Sequence, residues 1–144
     1  MRLVYSIGLH HSASPEHTTV ETITEWHLAR EFDTIGYNFV IHRMWENGPW
    51  TISVGRDIER KPAANKWELD APNVNRWQNT GCVAICVCGD FTVSALPDDA
   101  LGLLSSLCAH LMEKYSINAS NIFGHNDVKA TECPGYSVET IRMA

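Results

Sequence analysis

Hydrophobic and polar positions along the chain change period several times, and each change marks an element. Leu3 to Leu9 is a short, mostly apolar run that predicts a buried first strand. From Thr19 to about Arg30, Val20, Ile23, Trp26 and Ala29 recur at helical spacing, which predicts a helix with those four on its buried stripe. Thr18 with Glu21 three residues later has the spacing of a capping box. Tyr37 to Arg43 and Trp50 to Gly55 alternate as strands do. Asn47-Gly48 between them is a turn signal, so the pair predicts a hairpin. Cys82 to Cys88, built of small and β-branched residues, predicts a third central strand. Pro97-Asp98-Asp99 then opens the longest helix, which ends near Tyr115. Proline suits a first turn, and two carboxylates suit the positive end of the helix dipole. Its buried stripe reads Leu101, Leu104, Cys108 (or Leu107), Leu111 and Tyr115. Asn121 to Gly124 predicts a short last strand and Ser137 to Met143 a short terminal helix.

Interleaved strands and helices imply an α/β protein with a central mixed sheet of about five strands flanked by helices. The 144 residues suit one core, and no repeat, low-complexity tract or linker divides them, so residues 1–144 are expected to form a single domain. Lys61 to Asn79 is the least regular stretch, with Pro62, Pro72, Trp67 and Trp77. It reads as a long ordered loop of the kind that borders sites.

Composition narrows the partners. With 44% apolar and 19% charged residues the chain is expected to fold. A net charge of −6, without a Lys/Arg run, argues against nucleic acid and against an anionic membrane surface. No apolar stretch approaches the roughly 20 residues that span a bilayer. The opening segment from Met1 to His11 has no signal-peptide pattern, so cytoplasmic synthesis, with release by another system, is the expectation. Five cysteines, an odd number, read as reduced thiols rather than a disulfide framework.

Two places concentrate groups that bind metals. His10 and His11 close the first strand, and Gly124-His125-Asn126-Asp127 through Thr131-Glu132-Cys133-Pro134-Gly135 follows the last. Imidazole and thiolate are natural zinc ligands, and three protein ligands leave a fourth position for water. Two rivals stand beside this reading. Cys82, Cys86 and Cys88 share one face of a strand, as a thiol cluster or as small packed hydrophobes. Cys133 as nucleophile with His125 as base would give acyl transfer without a metal. Of the other histidines, His17 and His110 are expected in solvent, and His27 and His42 half-buried and hydrogen-bonded.

Three segments resemble the zinc-dependent N-acetylmuramoyl-L-alanine amidases, the family of phage lysozyme-amidases and peptidoglycan recognition proteins. They are Ile7-Gly8-Leu9-His10-His11-Ser12-Ala13-Ser14, Trp26 to Arg30 with Ile35-Gly36-Tyr37-Asn38-Phe39, and Gly124 to Gly135. Weaker similarity fills the middle at Val54-Gly55-Arg56 and from Asn79 to Phe91, in the right order. The resemblance implies zinc (Zn2+) on His10, His125 and Cys133, with His10 rather than His11 as the first ligand. It implies that Tyr37 sits beside the metal and that Thr131 occupies the position held by lysine in some phage members. Lys129 is out of register for that role, and Pro62-Ala63-Ala64-Asn65 matches the family's middle loop poorly. The substrate implied is peptidoglycan, cut between the lactyl group of N-acetylmuramic acid and L-alanine of the stem peptide. A phage or prophage endolysin acting as a monomer on the bacterial wall is the leading expectation. The alternatives are a cytosolic muropeptide-recycling amidase and a non-cleaving peptidoglycan-binding module.

Overall fold

The computed structural model describes residues 4–59, 81–127 and 130–143. Five strands form one mixed sheet: β1 (Ser6–His11), β2 (Phe39–Arg43), β3 (Trp50–Val54), β4 (Cys82–Val87) and β5 (Ile122–Gly124), in the order β3-β2-β4-β1-β5. β1 runs parallel to both β4 and β5, β2 runs parallel to β4, and β3 pairs antiparallel to β2 as the expected hairpin. Asn47 takes φ 59° in the hairpin turn, the left-handed region in which Asn is well tolerated. The helices are α1 (Val20–Ala29), α2 (Asp98–Tyr115) and α3 (Val138–Arg142).

Alternation along the strands splits the sheet into two unlike faces. Ile7, Leu9, Ile41, Val83, Ile85, Val87 and Ile122 point to one side and are buried under Leu104, Leu107 and Leu111 of α2 and Val138 and Ile141 of α3. Burial of each such side chain contributes roughly 1.5–3 kcal/mol, so most of the apolar stabilisation lies here. The opposite face carries Ser6, Gly8, His10, Cys82, Ala84, Cys86, Val40 and His42, with a small cluster of Ile23, Ile35, Val40 and Cys88 beneath α1.

Several boundaries shift from expectation. β1 reaches His11, so His10 lies inside the strand; Leu3 lies outside the described residues, as do the Lys61–Asn79 loop and Lys129. The α1 cap is Thr19, whose Oγ1 accepts the Thr22 N–H at 3.2 Å. Thr18 is already engaged, with its hydroxyl donating to the Pro15 carbonyl at 2.6 Å. Trp26 was expected on the buried stripe of α1 but is 44% exposed, and His27 is buried in its place. The reason is the loop that follows α1: His27 turns toward it, its ring against Phe32 and Tyr37 and its Nδ1 accepting the Gly36 N–H at 2.8 Å.

Candidate metal centre

Each side chain of the site is delivered by a separate piece of this frame. His10 is the penultimate residue of β1, on the polar face, and is only 2% exposed. His125 follows β5 directly, at the start of a 3-10 turn spanning His125–Asp127. That turn is held because Asp127 Oδ2 accepts the Gly124 N–H at 2.9 Å and pairs with Arg142 of α3 at 3.6 Å. Cys133 lies on the next loop, tied back by the Asn126 N–H donating to its carbonyl at 2.8 Å. Thr131 Oγ1 accepts the Cys133 N–H at 3.3 Å. The Tyr136 hydroxyl donates to the His10 carbonyl at 3.2 Å, which fastens this loop to β1. Gly135 adopts φ +84°, and a Cβ there would lie 2.6 Å from the Phe91 carbonyl carbon, so only glycine suits the loop's close approach.

The result is convergence across 123 residues of sequence. The ligating atoms of His10, His125 and Cys133 all lie within 4.8 Å of one another, and among the described residues they form the group of nitrogen, sulfur and carboxylate donors that can hold an ion. Cys133 Sγ is 4.0 Å from His10 Nδ1, and the two imidazole centroids are 5.0 Å apart. A tetrahedral zinc would want neighbouring donors about 3.3–3.6 Å apart, somewhat closer than the spacing here, and these three residues are the ones that would hold it. The donor chemistry fits as well. Burial, and then the neighbouring His125, holds the His10 pKa well below its usual value, so the ring is neutral, the form that can bind a cation. Burial pushes the Cys133 thiol up to about 11, partly offset by the His11 N–H, which donates to Sγ at 3.3 Å. Cation binding would draw that proton off. The neighbouring His11 is turned away: its Nδ1 accepts the Phe91 N–H at 3.2 Å and lies 4.0 Å from Asp90.

The N-acetylmuramoyl-L-alanine amidase family model (Amidase_2) matches residues 2–136. The chain belongs to this family. Among solved structures it is similar to the endolysin N-acetylmuramoyl-L-alanine amidase LysCS from Clostridium intestinale, at 27% identity over 97% of this chain and 82% of that one, with a TM-score of 0.77. It is similar to Drosophila PGRP-LB at 26% identity over 94% of this chain and 76% of that one, TM-score 0.70. The Ph2119 endolysin from a Thermus scotoductus bacteriophage has the same fold, with TM-score 0.67 over 99% of this chain and 85% of that one at 22% identity. No curated protein sequence matches the chain. No described helix is long and apolar enough to cross a membrane.

In this amidase-family chain Tyr37 stands just before β2, its ring 5.1 Å from that of His10. Burial, and then the nearby Cys86 and Cys133 thiols, hold its hydroxyl pKa well above 10, so it remains a proton donor. Thr131 is exposed, on the rim of a cavity of about 290 Å³ that runs past Cys133 to Asp90 and Glu132. Cys82, Cys86 and Cys88 are buried and lie outside the His10, His125 and Cys133 group, and Cys88 packs with Ile23 and Ile35. His17 and His110 are exposed. His42 is buried and bonded to Ser53 Oγ at 2.7 Å. Sequence reasoning missed Tyr136 and underrated His27. Tyr136 belongs to the closing motif, but no spacing rule says that its hydroxyl reaches back to β1.

Proposed function

We propose that this protein is a zinc-dependent N-acetylmuramoyl-L-alanine amidase, a peptidoglycan hydrolase whose residues 1–144 form one catalytic domain. The observation that carries the reading is the convergence of His10, His125 and Cys133, with Tyr37 against them, in a chain of the amidase family. Those three side chains would hold the ion. Zinc so held supplies an electrophile for a carbonyl oxygen and lowers the pKa of a water toward about 7. Tyr37 donates its O–H to the lactyl carbonyl oxygen as charge gathers there during attack, and one such donor is typically worth about 2.7–4 kcal/mol. Thr131 accepts the Cys133 N–H and retains its own hydroxyl proton, with which it holds the attacking water or the leaving amine of L-alanine. Tyr136 and the His11 N–H keep Cys133 and β1 in register.

The bond cut is the amide between the lactyl group of N-acetylmuramic acid and L-alanine. Similarity to the LysCS endolysin supports a phage or prophage lysin over a recycling amidase, and faster digestion of whole sacculi than of soluble muropeptides is the result expected of a lysin. A metal-free Cys133–His125 mechanism is the rival chemistry, and it would survive a chelator and be lost to thiol alkylation. The deciding experiment is metal content and wall digestion before and after chelation. About one zinc per chain, with activity lost on chelation and restored by zinc, is the expected result. Activity untouched by the chelator overturns the reading.

A further inference from the structure

A histidine takes the buried position on α1 that the helical pattern gave to its neighbour Trp26, and three different hydrogen bonds meet on it. His27 is 5% exposed. Its carbonyl accepts the N–H groups of Arg30 and Phe32, both at 3.0 Å, which closes the helix into the following loop. Its Nδ1 accepts the Gly36 N–H at 2.8 Å. Its ring meets Tyr37 edge-on at 5.1 Å and Phe32 at 5.0 Å. Gly36 has no side chain, so its backbone amide is the group by which the peptide entering Tyr37 can be held. On the other side of Tyr37 the Arg56 N–H donates to its carbonyl at 2.7 Å. The buried Asn38 side chain bridges the Ala84 N–H at 2.9 Å and the Arg56 carbonyl at 3.1 Å. Tyr37 is thus fixed by the sheet downstream and by an imidazole upstream.

We propose that His27 is a positioning residue for Tyr37, its Nδ1 anchoring the Gly36 amide and its ring walling the phenol so that Tyr37 faces His10. The chemistry requires imidazole. A backbone N–H can only donate, so Nδ1 is unprotonated and the ring is the neutral Nε2–H tautomer. Burial, and then Arg30, holds the His27 pKa at about 4, so the acceptor persists at any working pH. Leucine or phenylalanine at this position would pack equally well but leave the Gly36 amide buried without an acceptor. Nδ1 is committed to that amide, so His27 acts through Tyr37 and not on the metal.

The kinetic part of the proposal rests on the amidase reading; the structural part does not, and the test separates them. In the zinc-loaded full-length protein, nitrogen NMR is expected to show a through-hydrogen-bond coupling between the Gly36 amide and His27 Nδ1. An Nδ1-protonated ring without that coupling overturns the proposal and needs no variant. His27→Phe keeps the ring and removes the acceptor, whereas His27→Asn keeps an acceptor near the Nδ1 position and removes the ring. His27→Phe is expected to lower kcat on muropeptide by about 10- to 100-fold, the scale of a small misplacement of a catalytic group. KM and zinc content should be unchanged, and the Tyr37 ring resonances should shift. His27→Asn should recover most of the kcat. Full kcat in His27→Phe, or equal losses in both variants with Tyr37 resonances unmoved, reduces His27 to a packing residue. If the wild-type protein cleaves no wall fragment, the amidase reading fails, while the coupling and the Tyr37 resonances still decide the positioning role.

Discussion

The two faces of the one sheet are built on opposite rules. Toward α2 and α3 the strands present Ile7, Leu9, Ile41, Val83, Ile85, Val87 and Ile122, a nearly continuous aliphatic surface. One residue along in each strand, the side chains are Ser6, Gly8, His10, Val40, His42, Cys82, Ala84 and Cys86, small or polar and mostly buried too. The first face has the apolar area that stabilises the fold. The second gives up most of that area, and what it holds instead are groups whose protons and lone pairs are set by burial: a neutral His10, a protonated Tyr37 and a high-pKa Cys133. A strand buried on both sides can therefore divide by parity, with Ile7 and Leu9 of β1 in the aliphatic core and Ser6, Gly8 and His10 on the other face.

Substitutions on the two faces should separate stability from turnover. Cys133→Ala removes a proposed metal ligand and is expected to abolish zinc binding and to cut wall digestion by about three orders of magnitude or more. Metal analysis and a turbidity assay check this, and wall cleavage by Cys133→Ala at the normal rate would break the division of labour at its centre. Leu104→Ala on α2 leaves a cavity against the aliphatic face and should cost about 2–5 kcal/mol in denaturant unfolding, with kcat of the folded fraction unchanged. Tyr37→Phe is expected to lower kcat by about 10²- to 10³-fold with stability nearly unaltered, since the ring still packs between His10 and His27. The smallest effect is a pH dependence. His27 is held at about 4 in the folded protein, against an ordinary value near 6.5. As pH falls from 6.5 to 4 the unfolded chain takes up a proton that the folded chain refuses, so stability is full above 6.5 and declines through that window. The loss is up to roughly 3 kcal/mol. Urea titrations at pH 7 and pH 4 measure it, and His27→Phe should flatten the slope.

How much of this was legible in the residues depends on range. Elements set by local pattern came through: the hairpin at Asn47-Gly48, the long helix opening at Asp98, the central strand at Cys82 and the short terminal helix after Ser137. Failures occurred where a local rule met a tertiary partner. Thr18 has cap spacing, but its hydroxyl was drawn into the Pro15 turn, and Thr19 capped α1 instead. Trp26 has stripe spacing, but the loop after α1 packs on His27, whose Nδ1 accepts the Gly36 N–H, and Trp26 is left exposed. Within the site, the ligand types at His10, His125 and Cys133 could be read from their chemistry and from the family resemblance. The choice of His10 over His11 came from the motif, and the fold supplies a physical reason in strand parity.

By itself, then, the sequence determined the inventory and the local frame: an α/β alternation, two clusters of soft ligands at the ends of strands, and a tyrosine entering the second strand. Only the tertiary structure decided which of these meet. Cys133 reaches His10 because β5 lies beside β1, because Gly124 and Gly135 let the closing loop fold tightly, and because Tyr136 bonds back to the His10 carbonyl. Those contacts span more than a hundred residues, and no periodicity encodes them. They depend on the strand order, which sets β5 beside β1 across the long-range burial of the aliphatic face.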